Sequence, residues 1–262
     1  MAKNDNDTAS KMPFTEHLEE LRHRLIVCFV AVGVGFLICY FFAKQIFEIL
    51  MRPLIQVMPP GEGLIFTALP EAFITYLKVA LLAGIGLASP VIIYQFWRFI
   101  APGLYHREQR AMFPIVLFST VFFVGGALFG YFVVFPFGFK FFIGFASDSI
   151  RALPSIREYL KFATKLLFAF GFIFELPLFS YFLARLGLVN AEMLRSKQKY
   201  ALLIIFMLAA ILTPPDVVTQ VMMAGPLLIL YEMSIWIAKI FGRKPLDLED
   251  EESSAESKAQ SA

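Results

Sequence analysis

The sequence predicts an all-α polytopic membrane protein with six transmembrane helices and both termini on the cytoplasmic side. Hydrophobic residues make up 58% of its 262 residues and charged residues 17%, whereas a soluble domain is about half apolar and roughly a quarter charged. Six apolar runs follow one another along the chain, and Lys and Arg concentrate on one side of them. We expect a cytoplasmic amphipathic segment at 1–24, a transmembrane domain at 25–241 and a disordered cytoplasmic tail at 242–262.

The length of each apolar run decides whether it can cross the membrane, because a helix needs about 20 apolar residues to cross a bilayer core of about 30 Å. The predicted spans are 25–43, 72–97, 112–137, 162–183, 200–212 and 217–238. The fifth is short, and we expect it either to thin the bilayer or to stop before the far face. Pro214 and Pro215 end that helix, so the fifth and sixth runs are predicted to be separate spans.

The positions of the basic residues predict the orientation. Fourteen Lys and Arg side chains near the span ends fall on the N-terminal side, against seven on the opposite side. Because cytoplasmic loops carry the excess of Lys and Arg, both termini are predicted to be inside. The two long external segments, 45–71 and 138–159, are predicted to form a cap on the outer face, the first of them with a short helix.

The segment before the first span combines an apolar stripe with acidic residues. Apolar side chains recur at helical spacing from Phe14 to Leu25, while Glu16 and Glu20 lie one turn apart. One interpretation is a helix that lies on the membrane surface, with Glu20 paired to Arg24. The other is an acidic patch that awaits a basic partner.

A second acid follows the second span. Pro102-Gly103 forces a turn, so Glu108 is expected to project at the cytoplasmic face. A carboxylate there can accept a bidentate, charge-assisted pair of hydrogen bonds from an incoming guanidinium. Its neighbours Arg107 and Arg110 could equally satisfy it within the chain.

Further acids lie in or beside the spans. Glu175 falls mid-span, where a carboxylate costs several kcal/mol unless it is protonated, paired or facing water. It is therefore expected to face a groove or a partner helix, with a kink at Pro177 close by. Glu232 supports the same argument more weakly, because it lies nearer the inner face. Asp216 is either a helix N-cap or a functional acid, and alone it favours the cap.

The sequence contains no nucleophile–base pair, phosphate-binding Gly loop or metal-ligand set, so no enzyme activity, cofactor or metal is expected. The net charge of +2 is too small to indicate a nucleic-acid partner. A small-solute or proton-coupled carrier that uses Glu175 as a relay is an alternative hypothesis. Against it stand the lack of an internal repeat and of several intramembrane polar groups.

Five motifs in order along the chain point to one family. They are His17-Leu18-Glu19-Glu20-Leu21-Arg22; Ser89-Pro90 with Tyr94-Gln95-Phe96-Trp97 and Phe99-Ile100-Ala101-Pro102-Gly103-Leu104 to Glu108; Tyr131-Phe132-Val133-Val134-Phe135-Pro136; Phe172 to Pro177; and Leu212-Thr213-Pro214-Pro215-Asp216. Together they resemble the TatC family, the receptor subunit of the twin-arginine protein translocase. The resemblance extends over about residues 12–245.

This resemblance implies a cupped six-helix bundle in the bacterial cytoplasmic membrane. It also implies an oligomeric complex with the single-span subunits TatA and TatB, which exports folded proteins with the proton motive force and no cofactor. The family binds the twin-arginine motif of signal peptides with its amino-terminal region and first cytoplasmic loop.

Carried over to this sequence, the resemblance assigns Glu20 and Glu108 to the two peptide guanidinium groups. Arg22 and Phe99 would shape that site, and Glu175 would face the concave groove and meet a polar group of a partner helix. The resemblance marks four further positions as functionally sensitive: Pro53, Tyr131, Asp216 and Gln220.

Overall fold

A computed structural model describes residues 14–59, 63–65, 68–100, 112–145, 153–213 and 217–242, without the side chains of residues 14–16 and 112. Within these ranges the chain is helical and has no β-strand. Its helices are α1 Phe14–Phe41, α2 Ala43–Ile55, α3 Glu71–Ile100, α4 Met112–Phe129, α5 Phe135–Ile143, α6 Ile156–Phe174, α7 Leu176–Arg185, α8 Ala191–Ser196, α9 Gln198–Leu212 and α10 Val217–Phe241. A π-helical turn, Gly130–Val134, separates α4 from α5.

The described residues contain five helical stretches long and apolar enough to cross a membrane. These are His17–Phe41, Glu71–Ile100, Phe113–Ile143, Ile156–Arg185 and Val217–Phe241. The predicted fifth span is the shorter apolar helix α9, whose 15 residues extend about 22 Å at 1.5 Å per residue. The predicted all-α polytopic membrane class is confirmed, and so is the shortness of the fifth run.

The amphipathic N-terminal segment and the first span belong to one helix. α1 continues without a break past residue 24, the predicted end of the amphipathic segment. A helix lying on the membrane surface would have to bend sharply before the first span, and sharp bends arise at Pro, at Gly or Ser pairs or at π-bulges. Residues 14–32 contain no Pro and no Gly, so the sequence supplies no residue for such a bend.

The chain divides into two compact units, Met1–Val124 with Phe142–Thr164 and Gly125–Phe141 with Lys165–Ala262. In the first unit, α1 packs along α3 with their backbones in contact at two glycines. A Cβ atom on Gly35 would lie 2.5 Å from the carbonyl oxygen of Gly84, and one on Gly84 would lie 2.6 Å from the amide nitrogen of Phe36. The absence of side chains at these two positions is therefore what permits the close approach.

The two segments predicted to be external are joined within the first unit. The short helix predicted in the first of them is α2. Ile65 pairs with Ser155 in an isolated parallel β-bridge. The Ile65 N–H donates to the carbonyl of Pro154 at 3.1 Å, and the Ile156 N–H donates to the carbonyl of Ile65 at 3.0 Å.

A buried carboxylate reinforces this junction. Glu71, the first residue of α3, is 7% exposed. One of its oxygens accepts hydrogen bonds from the Ser155 hydroxyl at 3.1 Å and the Arg157 N–H at 2.9 Å, and the other accepts from the Ala68 N–H at 3.2 Å. An acid also suits this position because it lies at the positive end of the α3 dipole.

In the second unit, side chains of α6 and α10 contact main-chain carbonyls of α9. Lys165 on α6 donates from Nζ to the carbonyl of Ile211 in the last turn of α9. The last four carbonyls of a helix lack partners within it, so this ammonium group stabilises the end of the short helix.

Candidate functional site

Polar side chains of α1 and α3 meet where α1 begins and α3 ends. Arg24 donates from Nε to Oε1 of Glu20 at 3.0 Å, and its Nη2 hydrogen-bonds to the same oxygen. The remaining terminal nitrogen, Nη1, lies 3.5 Å from Oε1 of Gln95 on α3. Glu20 is thus connected to α3 through Arg24.

An aromatic pair lies beside these groups. The His17 ring stacks on the Phe99 ring, with centroids 4.4 Å apart and an interplanar angle of 11°. The Nδ1 atom of His17 also lies 3.7 Å from Oε2 of Glu20. We refer to His17, Glu20, Arg24, Gln95 and Phe99 as the Glu20 cluster, in which one carboxylate oxygen faces Arg24 and the other faces His17.

Helical spacing explains which basic residue reaches Glu20. Residues four apart on a helix lie on the same face, whereas residues two apart do not. Arg24 therefore pairs with Glu20, while Arg22 is exposed on a different side of α1. The predicted pairing of Glu20 with Arg24 is confirmed, but the helix lying on the membrane surface that went with it is not, because α1 runs unbroken from Phe14 to Phe41. The Glu20 side chain remains 28% exposed and that of Arg24 12% exposed, so the carboxylate can still be reached from solvent.

Gln95, like His17, stands in one of the motifs that carry the family resemblance, but no role is predicted for it from the sequence. It lies one turn before Phe99 on α3, as Glu20 lies one turn before Arg24 on α1. The sequence signal for such a role is a polar residue in an apolar helix, one turn before Phe99. The other acid assigned to this site, Glu108, lies outside the described residues, and so does Asp216.

Glu175 lies at a break in the fourth span. α6 ends at Phe174 and α7 begins at Leu176. Pro177 explains the break, because proline has no N–H for the carbonyl of Ile173 and its ring crowds that oxygen. The helix is therefore interrupted at the place where the sequence predicts a kink. The Glu175 side chain is buried, with 5% exposure, rather than displayed on an open face of the second unit.

Three other predicted positions have distinct surroundings. Pro53 is buried in α2. Tyr131 lies in the π-helical turn, with its ring centroid 5.9 Å from that of Phe135, and such turns are frequent at functional sites. Gln220 on α10 donates from Nε2 to the carbonyl of Phe206 on α9 at 3.0 Å, so this side chain joins the last two helices.

Glu232, the weaker intramembrane candidate, contacts two other polar side chains. Its Oε1 accepts a hydrogen bond from Nε2 of Gln198 at 3.0 Å. Its Oε2 lies 3.9 Å from Nη2 of Arg195, and its side chain is 42% exposed. The carboxylate therefore links α10 to α8 and to the first residue of α9.

Sequence comparison relates the chain to one family over most of its length. A family profile described as Sec-independent protein translocase protein (TatC) matches residues 16–226. A TatC protein of Desulforapulum autotrophicum is 58% identical over 250 residues, which are 95% of this chain and 92% of the relative. Another, from Magnetococcus marinus, is 48% identical over 244 residues, which are 93% and 90% of the two chains.

Structural comparison agrees with these relatives. A crystal structure of the twin arginine translocase receptor TatC matches this chain with a TM-score of 0.77 and 44% identity, covering 87% of this chain and 100% of that one. These relatives are components of a protein translocase rather than enzymes, which confirms the prediction that the chain is not an enzyme. The chain belongs to the TatC family of Sec-independent protein translocase proteins.

Proposed function

We propose that this protein is the receptor for twin-arginine signal peptides in a Tat translocase of the bacterial cytoplasmic membrane. Both of its termini would be cytoplasmic, and export of folded precursors would be driven by the proton motive force. The observation that carries the proposal is the Glu20 cluster, which joins the start of α1 to the end of α3. These are the two segments that the family resemblance assigns to peptide recognition.

Glu20 and Glu108 would each bind one guanidinium group of the peptide. A carboxylate offers two oxygens with about four acceptor positions, and Arg24 contacts Oε1 of Glu20. A peptide arginine can therefore approach through Oε2 or exchange with Arg24. The planar, permanently charged guanidinium matches a carboxylate in two hydrogen bonds, which a lysine ammonium cannot reproduce.

Arg22 and Phe99 would shape the surroundings of the bound peptide. Phe99 stacks on His17 beside the Glu20 carboxylate, so its ring can limit how a peptide side chain approaches. Arg22 is exposed on another side of α1, where it can contact the peptide away from the twin-arginine motif.

The same proposal includes TatA and TatB as partners in an oligomeric complex. Glu175 would contact a polar group of a partner helix at the break between α6 and α7. Since its side chain is 5% exposed in the single chain, we propose that it makes this contact after turning outward at the break. Pro53, Tyr131, Asp216 and Gln220 would support the assembled complex.

The test is peptide binding by a variant that lacks both acids. We expect Glu20→Ala with Glu108→Ala to insert into the membrane and to lose crosslinking and affinity for a twin-arginine peptide. A double substitution of exposed acids, Glu19→Ala with Glu192→Ala, changes the net charge equally and should keep the affinity. Normal peptide affinity in the Glu20 and Glu108 variant would refute the site.

A further inference from the structure

Trp97 and Ser119 form a buried hydrogen bond between α3 and α4 within the first unit. Both residues are 1% exposed, and Nε1 of the indole donates to the Ser119 hydroxyl oxygen at 2.9 Å. A buried indole N–H without an acceptor is costly, so a buried tryptophan is held where its partner lies. The bond therefore ties the last turns of α3 to α4.

This bond also fixes the direction in which the α3 members of the Glu20 cluster point. Successive helical residues are about 100° apart, so Gln95 and Phe99 each lie about 160° around α3 from Trp97. With Trp97 buried and bonded to α4, these two side chains are directed to the opposite side of α3. There both of them contact residues of α1.

The end of α3 depends on an anchor of its own, because Pro90 interrupts the helix before it. The close packing of α3 on α1 is at Gly84, on the other side of this proline. Proline has no N–H to donate to the carbonyl of Gly86, and helices bend at such positions. The Ser89 hydroxyl donates to that carbonyl at 2.7 Å, but it does not restore the main-chain bond. The packing at Gly84 therefore holds the last turns of α3 less firmly than it would in an unbroken helix.

We propose that Trp97 and Ser119 are positioning residues of the peptide site, whose hydrogen bond keeps the end of α3 in the rotation that completes the Glu20 cluster. The inference rests on the proposed function, because it concerns the same site. Both side chains are buried and act through Gln95 and Phe99. Without the bond, the end of α3 would also populate rotations that turn these two residues away from α1. The apparent affinity of a ligand falls with the fraction of the protein that is competent to bind it.

The experiment removes the bond from each side and measures the Kd of a twin-arginine peptide with the purified full-length protein in lipid nanodiscs. Ser119→Ala removes the acceptor, and Trp97→Phe removes the donor but keeps an aromatic ring. We expect each variant to bind the peptide about twofold to tenfold more weakly, the range that corresponds to one hydrogen bond. Because both changes remove the same bond, the double variant should bind no more weakly than the weaker of the two single variants.

A second background separates positioning from a general loss of stability. In Gln95→Ala with Phe99→Ala, the two side chains that α3 contributes to the cluster are gone, so the rotation of α3 no longer affects it. Adding Ser119→Ala to this background should leave the Kd unchanged. A general loss of stability would instead weaken binding equally in both backgrounds.

The neighbouring hydroxyl on α4 provides a matched control. Thr120 donates from its hydroxyl to the carbonyl of Val116 in the same helix at 2.8 Å. Thr120→Ala therefore removes a hydroxyl without breaking a bond between helices, and it should keep the wild-type Kd. If Ser119→Ala does not fold, Trp97→Phe replaces it in both backgrounds.

A wild-type Kd in Ser119→Ala would overturn the inference. A further loss of affinity when Ser119→Ala is added to the Gln95→Ala and Phe99→Ala background would overturn it as well. Failure of the proposed function looks different. In that case the wild-type protein would not bind the twin-arginine peptide, or Glu20→Ala would not weaken binding.

Discussion

At the residue scale, two buried carboxylates occupy contrasting positions. Glu71 begins α3 with 7% exposure and accepts hydrogen bonds from two main-chain N–H groups and a hydroxyl. Glu175 has 5% exposure and lies within a stretch long enough to span the membrane. A hydrogen-bonded acid at a helix start is a stable structural element, whereas an acid at membrane depth is costly and by default functional.

Replacing Glu175 tests whether this acid has a functional role. We expect Glu175→Leu to insert normally and to bind a twin-arginine peptide with wild-type affinity, because Glu175 belongs to the second compact unit and the Glu20 cluster to the first. Assembly with TatA and TatB, or transport, should be impaired because the polar contact to a partner helix is lost. Glu175→Gln keeps a polar side chain and should retain more transport. Peptide affinity, copurification of the partners and export of a precursor measure these effects, and wild-type export by Glu175→Leu would show that the acid is incidental.

At the scale of elements, glycine positions decide how closely α1 and α3 pack. We expect Gly84→Ala to destabilise the first unit by about 1–3 kcal/mol, the usual cost of overpacking. The added Cβ would lie 2.6 Å from a main-chain nitrogen that cannot move aside. Thermal unfolding of the purified protein in detergent measures the effect as a lower Tm.

The same helices provide matched controls for this substitution. Gly33 on α1 and Gly86 on α3 have no atom within 4 Å of an added Cβ. Gly33→Ala and Gly86→Ala should leave the Tm unchanged or raise it, since alanine favours a helix over glycine by up to about 1 kcal/mol. Equal Tm values for Gly84→Ala and Gly86→Ala would contradict the close packing of α1 on α3.

The junction of the two segments predicted to be external depends on Glu71. In Glu71→Ala, three hydrogen bonds to the carboxylate are lost, and bonds to charged groups contribute about 1.5–3 kcal/mol each. We therefore expect faster hydrogen exchange at the amides of Ile65 and Ile156, which donate the two hydrogen bonds of the β-bridge. Glu158→Ala is the control, because that acid is 69% exposed and its ion pair to the exposed Lys161 is long, at 4.0 Å. Unchanged exchange in Glu71→Ala would show that the β-bridge holds without it.

The sequence predicts apolar helices well and contacts between helices poorly. The predicted span 217–238 begins at the same residue as α10, and α10 continues to Phe241 because one charged residue, Lys239, does not end a helix. The bond between Glu20 and Arg24 follows from spacing on one helix. The contact of Arg24 with Gln95 depends on the rotation of α3 against α1, which periodicity in one segment does not determine. The burial of Glu175 depends on its neighbours in the second unit in the same way.

At the scale of the whole molecule, the positions of the basic residues predict orientation in the membrane. Because Lys and Arg accumulate in cytoplasmic loops, we expect Lys161 to lie outside and Lys199 inside. Single cysteines at these positions report it, in a chain whose own half-buried Cys28 and buried Cys39 are replaced by alanine. Lys161 is 76% exposed and Lys199 is also exposed, so both new thiols are accessible to a reagent.

A membrane-impermeant maleimide should label Lys161→Cys in spheroplasts without further treatment. It should label Lys199→Cys only after the membrane is permeabilised, because that residue follows α8 on the side predicted to be cytoplasmic. Growth and export by each cysteine variant serve as controls for correct insertion. The reverse pattern of labelling would place both termini outside, and peptide recognition at the Glu20 cluster would then be excluded, because precursors reach the translocase from the cytoplasm.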